Sequence, residues 1–398
     1  MSDLPPPVGP LLRAGPPDRL VEVLTGWLET HHEAKRAEVL LADYTLSGLR
    51  PVGRPGEPAG EPLDSATSAA RCFASQYPVI DRGAGEHRLH LPLTAWGERV
   101  GVLVVRFGAA PRPERVAALA ATAAEFATAL RAADRDTDRY RVARRRARLT
   151  MAAELQWDLL PGRCLADDRF TLAGQLEPAY AVCGDHFDWA LNGDQLTVTV
   201  LNGHGGGLAA SLLTSLAVNA MRNARRSGAG IVEQAGLASA AVFAEFGGAR
   251  HAATLLMEID LVTGQVEAVD AGSPRALLVR GAAVQPITLE QQLPIGMFGD
   301  ADYQPERLAL APGDRLLVVS DGVHAASPGG RAPFGESALL AAVRRTRLQP
   351  APEAVGTVMR GLHEYHADHD PDDDAVIICL DLHGRSEPSG GAGPAGSA

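Results

Sequence analysis

The chain has 398 residues, of which 46% are hydrophobic and 21% charged, and a formal net charge of −11. That length predicts two domains, each able to bury its own core, and the acidic balance argues against a general nucleic-acid or membrane-surface binder. Basic charge is almost all arginine, with Lys35 the only lysine, and Cys72, Cys164, Cys183 and Cys379 form no CxxC pair. Scattered cysteines argue against a disulfide scaffold or a zinc ribbon and fit a reducing compartment.

Residues 1–17 are rich in Pro and Gly and read as disordered. They show no signal-peptide pattern, and no stretch approaches the roughly 20 apolar residues of a membrane span, so a cytoplasmic protein is expected. Residues 18–132 read as a small α+β domain. "DRLVEVLTGWLETHHEAK" has helical periodicity through Leu20, Val21, Leu24 and Leu28. "AEVLLADY", "HRLHLPLTA" and "ERVGVLVVRFG" read as strands, and "PERVAALAATAAEFATALRAA" as a helix opened by Pro113. Residues 133–161 contain no Gly or Pro before Pro161 and predict one linker helix with Leu149, Ala152, Leu155 and Leu159 near one face. A homodimer through that helix is the associated expectation. Arg144–Arg146 reads as a solvated helix face in preference to a nucleic-acid contact.

Residues 162–383 are rich in strands. "HFDWALNGDQLTVTVL" predicts a hairpin turning at Asn192-Gly193, and "AATLLMEIDLVTGQVEAVDAG" a second one turning at Thr263-Gly264. "RALLVRG", "DRLLVVSDG" and "DAVIICLDL" supply more strands, with helices expected near 208–226, 230–246, 336–346 and 352–367. Hairpins with intervening helices favour antiparallel sheets flanked by helices. Residues 384–398 read as a disordered tail.

Asp185, Asp321, Asp373 and Asp374 stand at strand ends, and Asn202 opens the glycine loop "NGHGGG". Carboxylates so placed suit hard cations such as Mg²⁺ or Mn²⁺, which activate water and hold phosphoryl groups. Aspartate is also common in loops for purely conformational reasons. Gly205, Gly207 and Ala210 satisfy a dinucleotide fingerprint, but the following "IVEQAGLASAAVFAEF" is helical where a parallel strand is required. A P-loop fails for want of Gly-Lys-Ser/Thr. His363, His366 and His369 lack the H-E-x-x-H pattern and read as a polar helix end.

The order of these landmarks resembles the SpoIIE-like branch of the metal-dependent (PPM-type) serine/threonine protein phosphatases. The residues that carry it are "AAELQWDLLPG", "EPAYAVCGDHFD", "NGHGGGLAASLL", "DAGSPRALLVR", "LPIGMFG", "LAPGDRLLVVSDGV" and "DDAVIICL". The resemblance implies an α+β protein whose C-terminal antiparallel β-sandwich is flanked by helices. The preceding α+β domain resembles a GAF-type sensor. Also implied are two Mn²⁺ or Mg²⁺ ions on Asp185, Asp321, Asp373 and the Gly203 carbonyl. The reaction would be hydrolysis of phosphoserine or phosphothreonine by metal-activated water, with Asp185 and Asp321 central to catalysis. The partner would be a phosphoprotein such as an anti-sigma-factor antagonist. Asn202 stands where the family carries a metal-bridging Asp, so weakened second-metal binding or a non-enzymatic pseudophosphatase is the competing expectation. Cys183, Ser273 and Val376 also depart from the family pattern. The family histidine of this loop corresponds to His204, either a general acid or an exposed loop residue.

Overall fold

The computed structural model describes residues 6–53, 60–63, 66–83, 86–145, 149–178, 182–367 and 369–384. They form two compact units that divide between Leu149 and Thr150.

The first unit contains α1 (Val8–Ala14), a 3-10 turn (Pro17–Arg19), α2 (Leu20–His32), β1 (Arg36–Ala42), β2 (Gly48–Pro51) and β3 (Glu61–Pro62). It continues with α3 (Ser68–Ser75), β4 (Val79–Gly83), β5 (Glu86–Ala95), β6 (Glu98–Phe107), α4 (Pro113–Ala133) and α5 (Arg139–Ala143). The strands make one antiparallel sheet in the order β3-β2-β1-β6-β5-β4. Both sheet faces are covered, which explains why β6 reads as a continuous apolar run. Its Leu103 and Val105 pack with Leu24, Leu28 and Phe126 of the helices, while Val102 and Val104 pack on Cys72 and Phe73 of α3.

Three sequence expectations change here. Residues 8–14 are helical, because Val8 and Leu12 are apolar enough to join the core with Trp27. Residues 133–161 are not one helix but α5 and α6 (Met151–Leu159). Tyr140 and Arg139 of α5 are drawn to Pro17 and Glu22, and Thr150 starts a new helix by accepting from the Ala153 N–H at 3.2 Å. Helix α4 is long and apolar enough to cross a bilayer by composition, although Leu119, Ala123, Phe126 and Leu130 lie in the first unit's core.

The second unit begins with α6, followed by β7 (Cys164–Ala166), β8 (Phe170–Glu177), β9 (His186–Asn192), β10 (Gln195–Gly203), α7 (Gly207–Arg226) and α8 (Ile231–Phe246). Next come β11 (Ala252–Asp260), β12 (Gln265–Ala271), β13 (Arg275–Arg280), β14 (Ala283–Ile287), β15 (Glu306–Ala309) and β16 (Arg315–Val319). The unit closes with α9 (Asp321–His324), α10 (Ala338–Arg345), α11 (Ala351–His366) and β17 (Ala375–Leu382). Two antiparallel sheets result, β15-β12-β11-β10-β9 and β14-β13-β16-β17-β8-β7.

Side-chain alternation builds the layers. Val198 and Val200 of β10 meet Val318 and Ile378 of the other sheet in the central core. Ile377 and Cys379 face α10 and α11 instead, while Leu201 and Leu256 face α7 and α8. The expected helix-flanked antiparallel sandwich is the observed fold. The first hairpin turns at Gly193-Asp194, one residue later than expected, since Asn192 already pairs with Gln195. The tail beyond residue 384 lies outside the described residues, as does Arg146 of the arginine cluster.

Candidate metal centre

The start of β9, the end of β10, the end of β16 and the start of β17 converge at one end of the sandwich. The last β9–β10 pair is Leu201 with His186, so the next step of the ladder sets Asn202 opposite Asp185. Both share the parity of inward-facing Val200 and Phe187. Asp185 is only 1% exposed and Asn202 6%. Asp185 Oδ2 and both amide atoms of Asn202 have no hydrogen-bond partner among the described residues. A buried, unsatisfied polar atom costs about 1–3 kcal/mol, so three together call for a ligand or a functional reason.

The second sheet brings Asp321 and Asp373. Ser320 joins β16 to α9 while bonding β17 twice: its N–H donates to the Val376 carbonyl at 3.0 Å, and its hydroxyl accepts from the Val376 N–H at 2.9 Å. Asp321 is held by the Gly322 N–H at 3.0 Å and the Ser273 hydroxyl at 3.4 Å. Gly322 is required because a Cβ there would lie 1.9 Å from the Asp374 carbonyl oxygen. Asp373 accepts from the Asp374 N–H at 2.8 Å.

Asp374 has a different task from its neighbour. One of its carboxylate oxygens accepts from the Cys183 and Gly184 N–H groups at 2.9 Å each and from Gln156 Nε2 at 2.8 Å. Gln156 also donates to the Asp185 carbonyl at 2.7 Å. Asp374 thus fixes the loop that presents Asp185, and Asp373 is left toward the other carboxylates.

Mutual repulsion registers in the proton affinities. Burial, and then the charges of Asp321 and Asp373, hold Asp185 well above the usual carboxylate range. Burial and the Asp321 charge push Asp373 up to about 6. Burial, followed by Asp373 and Asp374, raises the Cys183 thiol to about 12, which makes it an inert thiol. Carboxylates that destabilise one another, one with an orphaned buried oxygen, fit a hard cation. No group of three or more His, Cys, Asp or Glu side chains among the described residues is drawn tightly enough to enclose an ion. The carboxylates lie within Coulomb reach of each other but are not contracted to ligand distances.

Gly203 lies against the Gly184 carbonyl and the Thr214 hydroxyl; a Cβ there would come within 2.8 and 2.9 Å of them. His204 is exposed; its N–H donates to the His251 carbonyl at 3.1 Å, and the two rings stack with centroids 4.8 Å apart. Sequence reasoning missed Gln156, Ser320 and the scaffolding role of Asp374. A glutamine on the apolar side of α6 was the available signal for the first; for the other two, only the sheet pairing reveals the role.

Residues 192–383 match the family model of Stage II sporulation protein E (SpoIIE). That segment includes Asn202, Gly203, His204, Asp321 and Asp373, with Asp185 just upstream. Phosphoserine phosphatase RsbP of Bacillus subtilis (strain 168) is 29% identical over 132 residues, 33% of this chain and 31% of RsbP. The matched segment is thus about a third of that relative's length. The SiaA-PP2C domain of Pseudomonas aeruginosa is similar in structure, with 23% identity over 53% of this chain and 85% of that one and a TM-score of 0.48. The catalytic domain of the serine threonine protein phosphatase PstP, in complex with 2 manganese ions, has 16% identity over 54% of this chain and 99% of that one, with a TM-score of 0.40. With its antiparallel sheets, its "SDG" and "DD" segments at one sandwich end and this family match, the C-terminal unit carries a SpoIIE-type domain over residues 192–383.

Proposed function

We propose that the chain is a metal-dependent phosphoserine/phosphothreonine protein phosphatase of bacterial signalling, regulated through its N-terminal unit as a GAF-like sensor. The observation that carries this reading is the convergence of Asp185, Asp321 and Asp373, with Asp185 Oδ2 buried and unpartnered among the described residues. Asp185, Asp321, Asp373, the Asn202 amide oxygen and the Gly203 carbonyl would hold Mn²⁺ or Mg²⁺. Such an ion, when bound, lowers the pKa of a coordinated water and offsets phosphoryl charge. The chain's own residues do the remaining work. Gly322 and Ser273 orient Asp321, and Gln156 with Asp374 fixes the Asp185 loop. His204, exposed beside the glycine loop, would give its proton to the departing serine or threonine oxygen. By family resemblance the substrate is a cytoplasmic phosphoprotein of the anti-sigma-factor-antagonist kind, and the region around α5 and α6 is the place to look for a homodimer contact.

The test is hydrolysis of phosphoserine peptides by the full chain in saturating Mn²⁺, beside Asp321→Asn and a chelated control. Turnover lost in both controls supports the reading; turnover that survives Asp321→Asn overturns it. Asn202, neutral and with both amide atoms unpartnered among the described residues, favours a second reading: a pseudophosphatase that binds its phosphoprotein with little turnover. An inactive native chain made active by Asn202→Asp would support that alternative.

A further inference from the structure

Arg250 is a cationic side chain over the glycine loop that the metal centre leaves unused. The β10–β11 ladder pairs Asn202 with Ala253 and Gly203 with Ala252. Continued outward, that register places His204 by His251 and Gly205 by Arg250. The contacts agree: the His204 N–H bonds the His251 carbonyl, the two rings stack, and a Cβ at Gly205 would lie 3.1 Å from Arg250 Nη1. Gly205 has φ +101°, so the loop both needs glycine there and leaves its backbone bare beneath the guanidinium.

No carboxylate or other acceptor among the described residues takes up Arg250. Other arginines of the same unit are committed to structural ion pairs: Arg222 and Arg225 bind Asp188 at 2.7 and 3.1 Å, and Arg315 binds Asp381 at 2.6 Å. The β10–β11 register holds Arg250 over the glycine loop that follows Asn202 and Gly203, with its five donors uncommitted among the described residues. A guanidinium matches the oxygens of a phosphoryl group in a planar, two-pronged fashion that neither lysine nor histidine reproduces. A phosphoryl dianion approaching Asp185, Asp321 and Asp373 meets like charge, and a fixed cation at the rim offsets it.

We infer that Arg250 is a substrate-binding residue whose guanidinium takes oxygens of the phosphoryl group at the mouth of the metal centre. His204 and His251 fix the loop on which that group lands. The inference rests on the phosphatase reading above and adds to it the residue that holds the phosphoryl group.

The experiment uses the full chain in saturating Mn²⁺, native and with Arg250→Ala or Arg250→Lys. Calorimetry measures the binding of inorganic phosphate and of Mn²⁺, and steady-state kinetics measures hydrolysis of p-nitrophenyl phosphate. Arg250→Ala should weaken phosphate binding and raise KM by roughly tenfold or more, the scale of one lost charge-assisted contact. Mn²⁺ affinity and thermal unfolding should stay unchanged, because the side chain is partly exposed and unpaired. Arg250→Lys should fall in between. Phosphate affinity and KM of Arg250→Ala within twofold of an active native chain would overturn the role of Arg250 alone. A native chain that neither binds phosphate nor hydrolyses the ester would overturn the phosphatase reading and this inference together.

Discussion

Gln156 Nε2 lies 2.8 Å from Asp374 Oδ2 and 2.7 Å from the carbonyl of Asp185, so one amide group on α6 ties together the loop before β9 and the loop before β17. These loops carry Asp185 and Asp373. Gln156→Leu should remove both bonds from a buried site and cost about 1–3 kcal/mol of stability. Denaturant unfolding of the full chain reads that loss directly. Metal titration should show a weaker Mn²⁺ site as the Asp185 loop loosens, and an unchanged titration would separate the fold from the site.

Asn202→Asp should have opposite effects with and without metal. A fourth carboxylate opposite Asp185 adds repulsion to the metal-free protein; at about 4 Å and an effective dielectric of about 20, one charge pair amounts to roughly 4 kcal/mol before solvation offsets it. In Mn²⁺ the same carboxylate joins the ligands. The variant's melting temperature should therefore fall below the native value in chelator and rise above it in Mn²⁺. Hydrolysis should increase at least tenfold.

Gly322→Ala tests the contact between the two acidic segments. Its Cβ would sit 1.9 Å from the Asp374 carbonyl oxygen, and that oxygen belongs to backbone packed at the head of β17. Displacing it should cost more than about 3 kcal/mol, in the range of severe core strain. The expected result is a chain that unfolds at markedly lower denaturant or accumulates insoluble, in contrast to Asp321→Asn, which should fold normally and lose activity.

His186 gives the second unit a dependence on acid. Its ring is fully buried, neither nitrogen has a well-formed hydrogen bond among the described residues, and burial lowers its pKa to about 4 from 6.5. Between those values the unfolded chain binds the proton and the folded chain does not, so stability falls as pH drops from about 6.5 toward 4. The full contribution is roughly 3 kcal/mol. Asp185, with its raised pKa, acts in the opposite direction, since its folded state keeps a proton the unfolded chain has released. The difference between native chain and His186→Phe, followed by urea unfolding over pH 4 to 7, isolates the histidine: the variant should lose less stability on acidification.

Much of the second unit was legible because its residues obey short-range rules. Strand-favouring aromatic and aliphatic residues marked β9, β10, β11 and β17, and Asn-Gly and Thr-Gly marked the hairpins to within a residue. Glycines and aspartates at strand ends marked the segments that meet at the candidate metal centre. The one-helix reading of residues 133–161 failed for a long-range reason. An uninterrupted run of helix-permitting residues does not reveal that Tyr140 and Arg139 prefer Pro17 and Glu22, or that Thr150 will cap a second helix. The helix at Val8–Ala14 was hidden similarly, since Pro/Gly content says nothing of a core waiting for Val8 and Leu12.

By itself the sequence determined local conformation, the antiparallel hairpins, the identity of the candidate ligands Asp185, Asn202, Gly203, Asp321 and Asp373, and the charge lost at Asn202. Each of these depends on residue type and nearest neighbours. Tertiary structure decided which aspartate of the final pair scaffolds and which faces the cluster, and that Gln156 supports both loops. It also decided that Arg250, forty-eight positions after Asn202 (250 − 202), stands over the same loop. Those are pairings across sheets and between distant segments, and their energies come from burial and register, which exist only once the chain has closed on itself.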